Sequence, residues 1–270
     1  MASSHGAEAG GVPVPPLLYS IIVPAYNEED NILPTLHGLA DALRAAEIPF
    51  ELLVVNDNSQ DRTVEVVTEA AGAFPELRIV HNAPPGGLGR AVRCGLQHYR
   101  GDVVAIVMAD SSDAPEDVVR CYRKIEEGWD AVFGSRFVDG ARVTHYPPVK
   151  LVANRIVNKM LQFLFVTRHN DLTNAFKVYR RHVIDAISPL QAAHFNITIE
   201  MSLSTLIRRY RVAGLPIQWS GRTWGQSNLQ LRKMGRRYLC TLIMIWCERL
   251  LILDDLMAEN EAKRSEKPAD

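Results

Sequence analysis

From Leu17 to Phe137, short apolar runs alternate with segments whose apolar residues recur at helical spacing. "LLYSIIVPAY", "FELLVVND", "LRIVHN", "DVVAIVMAD" and "DAVFGSRF" are β-rich and nearly continuous in apolar residues. That is the pattern of strands covered on both faces. Between them, "NEEDNILPTLHGLADALRAA" places Ile32, Leu33, Leu36, Leu39 and Leu43 on one helical face. "DRTVEVVTEAAGAF", "GGLGRAVRCGLQHY" and "APEDVVRCYRKIEEG" predict three more helices. Asn27 is the expected N-cap of the first helix, with acidic residues in its first turn, and Pro115 opens the fourth. This alternation predicts a doubly wound α/β fold, a mostly parallel sheet flanked by helices. Ligands of such sheets sit beyond the carboxyl ends of the strands. Polar clusters stand at those ends: Pro24-Ala25-Tyr26-Asn27-Glu28, Asn56-Asp57-Asn58-Ser59, Asp110-Ser111-Ser112-Asp113 and Gly134-Ser135-Arg136.

Beyond Arg142 the alternation weakens. "PPVKLVANRIVNKMLQFLFV" predicts a helix with a broad apolar face, "DLTNAFKVYRR" a loop leading into a strand, "TIEMSLSTLIRRYR" a helix and "VAGLPIQWS" a strand. The basic, glycine-bearing "GRTWGQSNLQLRKMGRR" precedes a closing amphipathic helix expected over 238–256. Arg237, Thr241, Glu248 and Asp255 form one narrow polar stripe along it, and nearly everything else is apolar. The apolar run is too short, and Glu248-Arg249 too central, for a membrane span. Two placements stay open: packing on the domain, or an interfacial position on a bilayer or a second copy of the chain. Arg232, Lys233, Arg236 and Arg237 would suit anionic headgroups. The expected organisation is a disordered tail over 1–17, a globular domain over 18–237, the helix, and a disordered tail over 257–270.

Composition narrows the classes. A net charge of −1 over 270 residues excludes a general nucleic-acid binder, which needs a basic face. The four cysteines form no CxxC pair and no zinc-spaced cluster, so single thiols in a reducing compartment are expected. The first residues lack the basic and apolar regions of a secretory signal.

The strand-end residues offer a coherent chemistry. Glu28 can accept ribose or base hydrogen bonds, and Asp57 a base N–H. Asp110 can bind Mg2+ or Mn2+, hard ions that prefer oxygen ligands. Arg136, Arg155 and Arg222 can grip phosphate oxygens. "GGLGRA" lacks the GxxxxGK[ST] pattern and does not follow the first strand, which excludes a P-loop and a dinucleotide fingerprint. No Ser/His/Asp or paired-carboxylate constellation is present.

Taken in order, "SIIVPAYNEEDNI", "LLVVNDNSQDRT", "GGLGRAVRCGL", "VMADSSDAPED", "GSR", "DLTNAFKVYRR" and "GRTWGQSNL" resemble the inverting family 2 glycosyltransferases. The branch they are most similar to is that of the dolichol-phosphate mannose synthases and their bacterial polyprenyl-phosphate relatives. The resemblance implies a GT-A, Rossmann-like fold and transfer of a hexose from GDP-mannose or a UDP-hexose to a polyprenyl phosphate. It implies donor binding by Pro24, Tyr26, Glu28, Asp57, Gly89, Ala109 and Asp110, and a Mg2+ or Mn2+ ion held by Asp110 with Ser112. It assigns catalysis to Asp110, Arg136, Asp171 and Arg222, and the acceptor phosphate to Arg136, Arg155 and Ser227. The implied location is cytoplasmic, peripheral on a membrane through the C-terminal helix, with homo-oligomers possible. A soluble or glycan acceptor, and a non-catalytic nucleotide-sugar-binding protein, remain alternatives. Two positions depart from the family pattern. The fourth-strand Asp-Ala-Asp is Met108-Ala109-Asp110, and the second-strand Asp-Asp is Asn56-Asp57. Asp113 or Ser112 is expected to complete the metal shell.

Overall fold

A computed structural model describes residues 16–221 and 231–265. Five strands, β1 (Tyr19–Ala25), β2 (Phe50–Asn56), β3 (Leu77–His81), β4 (Val103–Ile106) and β5 (Ala131–Ser135), alternate with α1 (Ile32–Ala45), α2 (Thr63–Ala71), α3 (Leu88–His98) and α4 (Pro115–Glu126). Then come β6 (Arg142–Thr144), α5 (Pro148–Phe165), β7 (Lys177–Arg180), α6 (Arg181–Ile187), α7 (Ile197–Ile207), β8 (Val212–Pro216), β9 (Gln218–Ser220) and α8 (Leu231–Ser265). A seven-stranded sheet has the order β3-β2-β1-β4-β7-β5-β8, and β6 pairs with β9 in a small second sheet. The α/β fold expected from the strand–helix alternation is borne out.

The apolar runs are strands because both faces of the sheet are covered. Ile21, Val23, Leu52 and Val54 pack with Leu36 and Leu39 of α1 and Val118 and Ile125 of α4. Their neighbours Ile22, Leu53 and Val55 point the other way, against Val92 of α3 and Ile199 and Leu203 of α7. The period of two sends each strand's side chains into two cores. Parallel register brings Ala25 opposite Asn56, and the Asp57 N–H donates to the Ala25 carbonyl at 2.8 Å, so β1 and β2 end level.

Two expectations are corrected, the cap of α1 and the bounds of the closing helix, and one strand direction is added. Asn27 is not the cap of α1, which starts at Ile32 after Asn31. Asn27 takes φ 55°, and its Oδ1 accepts the Gln60 N–H at 2.8 Å, so it builds a turn against the β2–α2 loop. The strand after "DLTNAF", β7, runs antiparallel between β4 and β5, breaking an otherwise parallel sheet. The closing helix α8 is longer at both ends than the expected 238–256 segment. Among the described residues, no helix is long and apolar enough to cross a membrane.

Candidate functional site

The carboxyl ends of β1 and β2 present buried carboxylates. The Glu28 N–H donates to Thr63 Oγ1 at 2.8 Å, and Glu28 Oε2 accepts from Asn31 Nδ2 at 2.9 Å. Asp57 Oδ1 accepts from Asn82 Nδ2 at 2.6 Å and its Oδ2 from the Gly87 N–H at 2.7 Å. Tyr26 is exposed beside them, while Pro24 is buried within β1. Asn56 spends its carboxamide on the turn: Oδ1 accepts the Ser59 N–H at 3.0 Å, and Nδ2 lies 3.2 Å from His81 Nδ1.

Gly89, expected at the donor, packs closely against protein backbone on its Cβ side. A Cβ there would lie 2.4 Å from the Ala192 carbonyl oxygen, and one at Gly87 2.4 Å from that of Ala193. The "GGLG" glycines let α3 approach the 192–194 backbone, which Glu200 fixes by accepting the Gln191 and Ala192 N–H groups at 2.7 Å each.

After β4 the chain turns sharply. The buried Ala109 carbonyl accepts from Thr35 Oγ1 at 3.0 Å, and Ser111 takes φ 55°. Asp110 is half-buried, and its Oδ1 accepts the Ser112 N–H at 3.2 Å, so Ser112 meets it through the backbone. Asp113 Oδ2 accepts the Met108 N–H at 3.3 Å, and burial, with Asp110 nearby, pushes its carboxyl up to about 7. Among the described residues no group of three or more His, Cys, Asp or Glu is arranged to hold a metal ion. A Mg2+-type ion that takes substrate phosphates and water as its other ligands needs only one or two protein carboxylates. Asp110 fits that role.

Arg136 and Asp171 form a buried pair. The Arg136 backbone N–H and Nε donate to Asp171 Oδ2 at 3.0 and 2.7 Å, and Nη2 donates to Oδ1 at 2.8 Å. Burial opposes the charge, but the Asp171 carboxylate outweighs it and holds the guanidinium above its ordinary value. The rings of Phe137, Tyr146 and Trp219 stand 5.3, 5.8 and 5.5 Å from the guanidinium carbon. The exposed Arg155 comes within 5.4 Å of the same Phe137 ring. Arg136 and Arg155 therefore both stand against the Phe137 ring. Asp171 occupies two of the three Arg136 guanidinium nitrogens, so a phosphate at Arg136 meets Nη1 rather than the whole fork. Arg222 and Ser227 lie outside the described residues.

Asn154, Asn158, Thr173 and Lys177 join this site without having been singled out in the sequence. Lys177 is buried on β7 and donates to the Leu172 carbonyl at 3.2 Å and to that of Asn174, and burial lowers its ammonium to about 7. The one sequence signal was the pair of asparagines four residues apart in the apolar α5.

Beside the arginines lies an apolar surface. Val149, Val152, Ile156, Met160 and Phe163 of α5 are exposed, Phe163 at 85%. Leu239, Ile243, Leu250 and Leu251 of α8 are exposed too. The helices touch where Phe165 meets Trp246, ring centroids 6.0 Å apart, and where Arg249 Nη1 donates to the Leu164 carbonyl at 2.9 Å.

The chain matches the family model described as Glycosyl transferase family 2 over residues 20–188. Polyprenol monophosphomannose synthase of Mycolicibacterium smegmatis is 31% identical to it over 215 residues, 77% of this chain and 80% of that protein. Dolichol-phosphate mannosyltransferase of Pyrococcus furiosus is 27% identical over 213 residues, 78% of this chain but 59% of that protein. Glucosyl-3-phosphoglycerate synthase from Mycobacterium tuberculosis, solved with Mn2+, UDP and glucosyl-3-phosphoglycerate, shares the fold with a TM-score of 0.63 at 20% identity, over 85% of this chain and 80% of that one. The same synthase with Mg2+ and UDP gives a TM-score of 0.62 at 20% identity, over 85% and 79%. The extent of the family match and the identity to the mycobacterial synthase decide the assignment: the chain belongs to glycosyl transferase family 2 and is a GT-A-fold glycosyltransferase.

Proposed function

We propose that the protein transfers a hexose from a nucleotide diphosphate-sugar, GDP-mannose or a UDP-hexose, to a polyprenyl phosphate at a membrane surface. The observation that carries this is the convergence of Arg136 and Arg155 on Phe137, with Arg155 on the same helix, α5, that exposes an apolar face. A phosphate on an isoprenoid chain needs such a combination, cations at the end of a greasy surface. The names of the two curated relatives support the same acceptor class.

Glu28 and Asp57 hold the nucleoside end of the donor, with Tyr26 beside it. Asp110, with Ser112 next to it, would hold Mg2+ or Mn2+, which neutralises charge on the leaving diphosphate when bound. The acceptor phosphate monoester is already ionised near neutral pH, so no strong base is required. Arg136 Nη1 and Arg155 orient it, together with Arg222 and Ser227. The work of the protein is therefore positioning and charge complementarity. Contact with the cytoplasmic face of the membrane is peripheral, through the apolar faces of α5 and α8, with Lys150, Lys159 and Arg237 available to anionic headgroups.

The test is incubation with labelled GDP-mannose, UDP-glucose or UDP-GlcNAc and a polyprenyl phosphate in liposomes, with Mg2+ or Mn2+. A lipid-linked sugar is expected with one donor, and Asp110→Ala should lower its formation by at least about a hundredfold. No product with any donor sinks the reading. Activity on soluble acceptors without sedimentation on liposomes would assign the apolar face to a second copy of the chain.

A further inference from the structure

Asn154 and Asn158 lie one turn apart on α5, on the side away from its exposed apolar residues. Asn158 is 1% exposed. Its Oδ1 accepts the Leu172 N–H at 2.7 Å, and its Nδ2 donates to Thr173 Oγ1 at 3.0 Å and to Asn154 Oδ1 at 2.9 Å. The Tyr146 hydroxyl accepts from Asn154 Nδ2 at 3.0 Å, which fixes the direction of that carboxamide. α5 is thus clamped to the 171–174 loop by two side-chain amides.

Thr173 is the node of the clamp. A hydroxyl has one proton to give and two lone pairs. Thr173 Oγ1 accepts from Asn158 Nδ2 at 3.0 Å and from Arg136 Nη2 at 3.5 Å, and it faces two oxygens, Asn154 Oδ1 at 2.7 Å and Asp171 Oδ1 at 3.3 Å. The shorter contact takes the proton, so Asp171 Oδ1 keeps its lone pairs for Arg136 Nη2 at 2.8 Å. Because Asp171 grips Arg136 bidentately, the position of its carboxylate fixes the plane of the guanidinium. That plane decides where Nη1 points, and Nη1 has no hydrogen bond among the described residues.

We propose that Thr173 is a positioning residue for the acceptor: held by Asn154 and Asn158, its Oγ1 accepts from Arg136 Nη2 beside Asp171 Oδ1, so that Arg136 presents Nη1 to the lipid phosphate beside Arg155. The inference rests on the acceptor reading of Arg136 and Arg155 given above. It makes α5 the element that joins the two halves of the acceptor, since one face meets the isoprenoid and the other sets the guanidinium.

Thr173→Val keeps the side-chain shape and removes the hydroxyl, while Thr173→Ser keeps the hydroxyl. Initial rates measured with lipid phosphate and nucleotide-sugar varied separately distinguish the roles. Thr173→Val is expected to raise the KM for lipid phosphate about tenfold, the effect of one charge-linked hydrogen bond, and to leave the donor KM within about twofold. Thr173→Ser should restore the acceptor KM. Should Thr173→Val melt far below the wild type, Asn154→Ala, which removes the acceptor of the Thr173 proton, should shift the acceptor KM in the same direction. Equal shifts in both KM values, no shift in a folded variant, or failure of Thr173→Ser to restore the acceptor KM overturns the inference alone. A wild-type chain inert toward every lipid phosphate overturns the acceptor reading, and this inference with it.

Discussion

Thr241 accepts a hydrogen bond from Asn196 Nδ2 at 2.9 Å, and the two residues are only 7% and 5% exposed. One turn-pair further on, Glu248 Oε1 accepts from Arg208 Nη2 at 2.5 Å. The middle of the α8 polar stripe, Thr241 and Glu248, therefore turns inward together with Ile245, while Arg237 and Asp255 at its ends are exposed and Leu239, Ile243, Leu250 and Leu251 are left outside. An amphipathic helix packed on a soluble core has the opposite arrangement. Large apolar side chains exposed in this number on one helix mark an interaction surface.

The inverted helix predicts a separation of stability from bilayer binding. Leu251 is 65% exposed, so Leu251→Glu, alone or with Ile243→Glu, should leave the melting temperature unchanged and cut sedimentation on anionic liposomes by about tenfold or more. Thr241→Val should do the reverse. It removes the bond to Asn196, whose Oδ1 already lacks a partner, and should destabilise by about 1 kcal/mol with bilayer binding intact. Thermal melts and liposome sedimentation on the same preparations check both. Parallel loss of the two properties in Leu251→Glu would count against the outward apolar face.

Gly89 tests whether the glycine-rich entry to α3 serves packing or ligand. Its added Cβ would sit 2.4 Å from the Ala192 oxygen and 2.8 Å from the His194 nitrogen, both backbone atoms that cannot swing aside. Gly89→Ala should cost about 1–3 kcal/mol in urea unfolding, with the donor KM of the folded fraction little changed. A variant of wild-type stability with a raised donor KM would assign Gly89 to the donor site.

The strand ends were legible because strands buried on both faces leave no alternative to continuous apolar runs, and the residues just after them had to reach the ligand side. Direction was not legible. "KVYR" reads equally well as a parallel strand, and only the return of the chain through α5 turns β7 antiparallel. The start of α1 was misread because "NEED" resembles an acidic first turn, while Asn27 is claimed by the Gln60 N–H across the sheet end. Periodicity revealed the stripe on α8 but not which way it faced, since that depends on Asn196 and Arg208 from α7 and its end. Thr173 carried no pattern, and Asn158 only its spacing of four from Asn154 in an apolar helix: their meaning comes from a contact between a helix and a loop that sequence spacing does not encode.

Lys177 predicts a dependence of stability on pH. Burial lowers its ammonium from the ordinary 10.5 to about 7 in the folded chain. Between those values the unfolded chain binds the extra proton, so stability should rise with pH. The penalty is fully present below pH 7 and fades toward 10.5. Lys177→Met removes the titration but also the bonds to the Leu172 and Asn174 carbonyls. The melting temperature of the wild type minus that of Lys177→Met should therefore increase from pH 6.5 to 9.5, a window on either side of about 7. Parallel curves would show that the buried amine does not titrate there.

Met108 stands where the family pattern has an acid, and its surroundings define what an acid would do. Its backbone N–H is held by Asp113 Oδ2 at 3.3 Å, and Asp113 is already pushed up to about 7 by burial, with Asp110 adding to the shift. Met108→Asp would add a third carboxyl to the 108–113 turn that already carries Asp110 and Asp113. Without a cation the like charges repel, so the variant should melt below the wild type in EDTA. With Mn2+ and a nucleotide diphosphate-sugar, the same carboxyl gains a positive partner, and the donor Kd should fall several-fold. Thermal shift and calorimetric titration with GDP-mannose and UDP-glucose, with and without Mn2+, read both effects. A variant destabilised in EDTA yet with unchanged donor affinity in Mn2+ would mean that Asp110 alone supplies the carboxylate this site uses, and that the methionine removed a repulsion rather than a ligand.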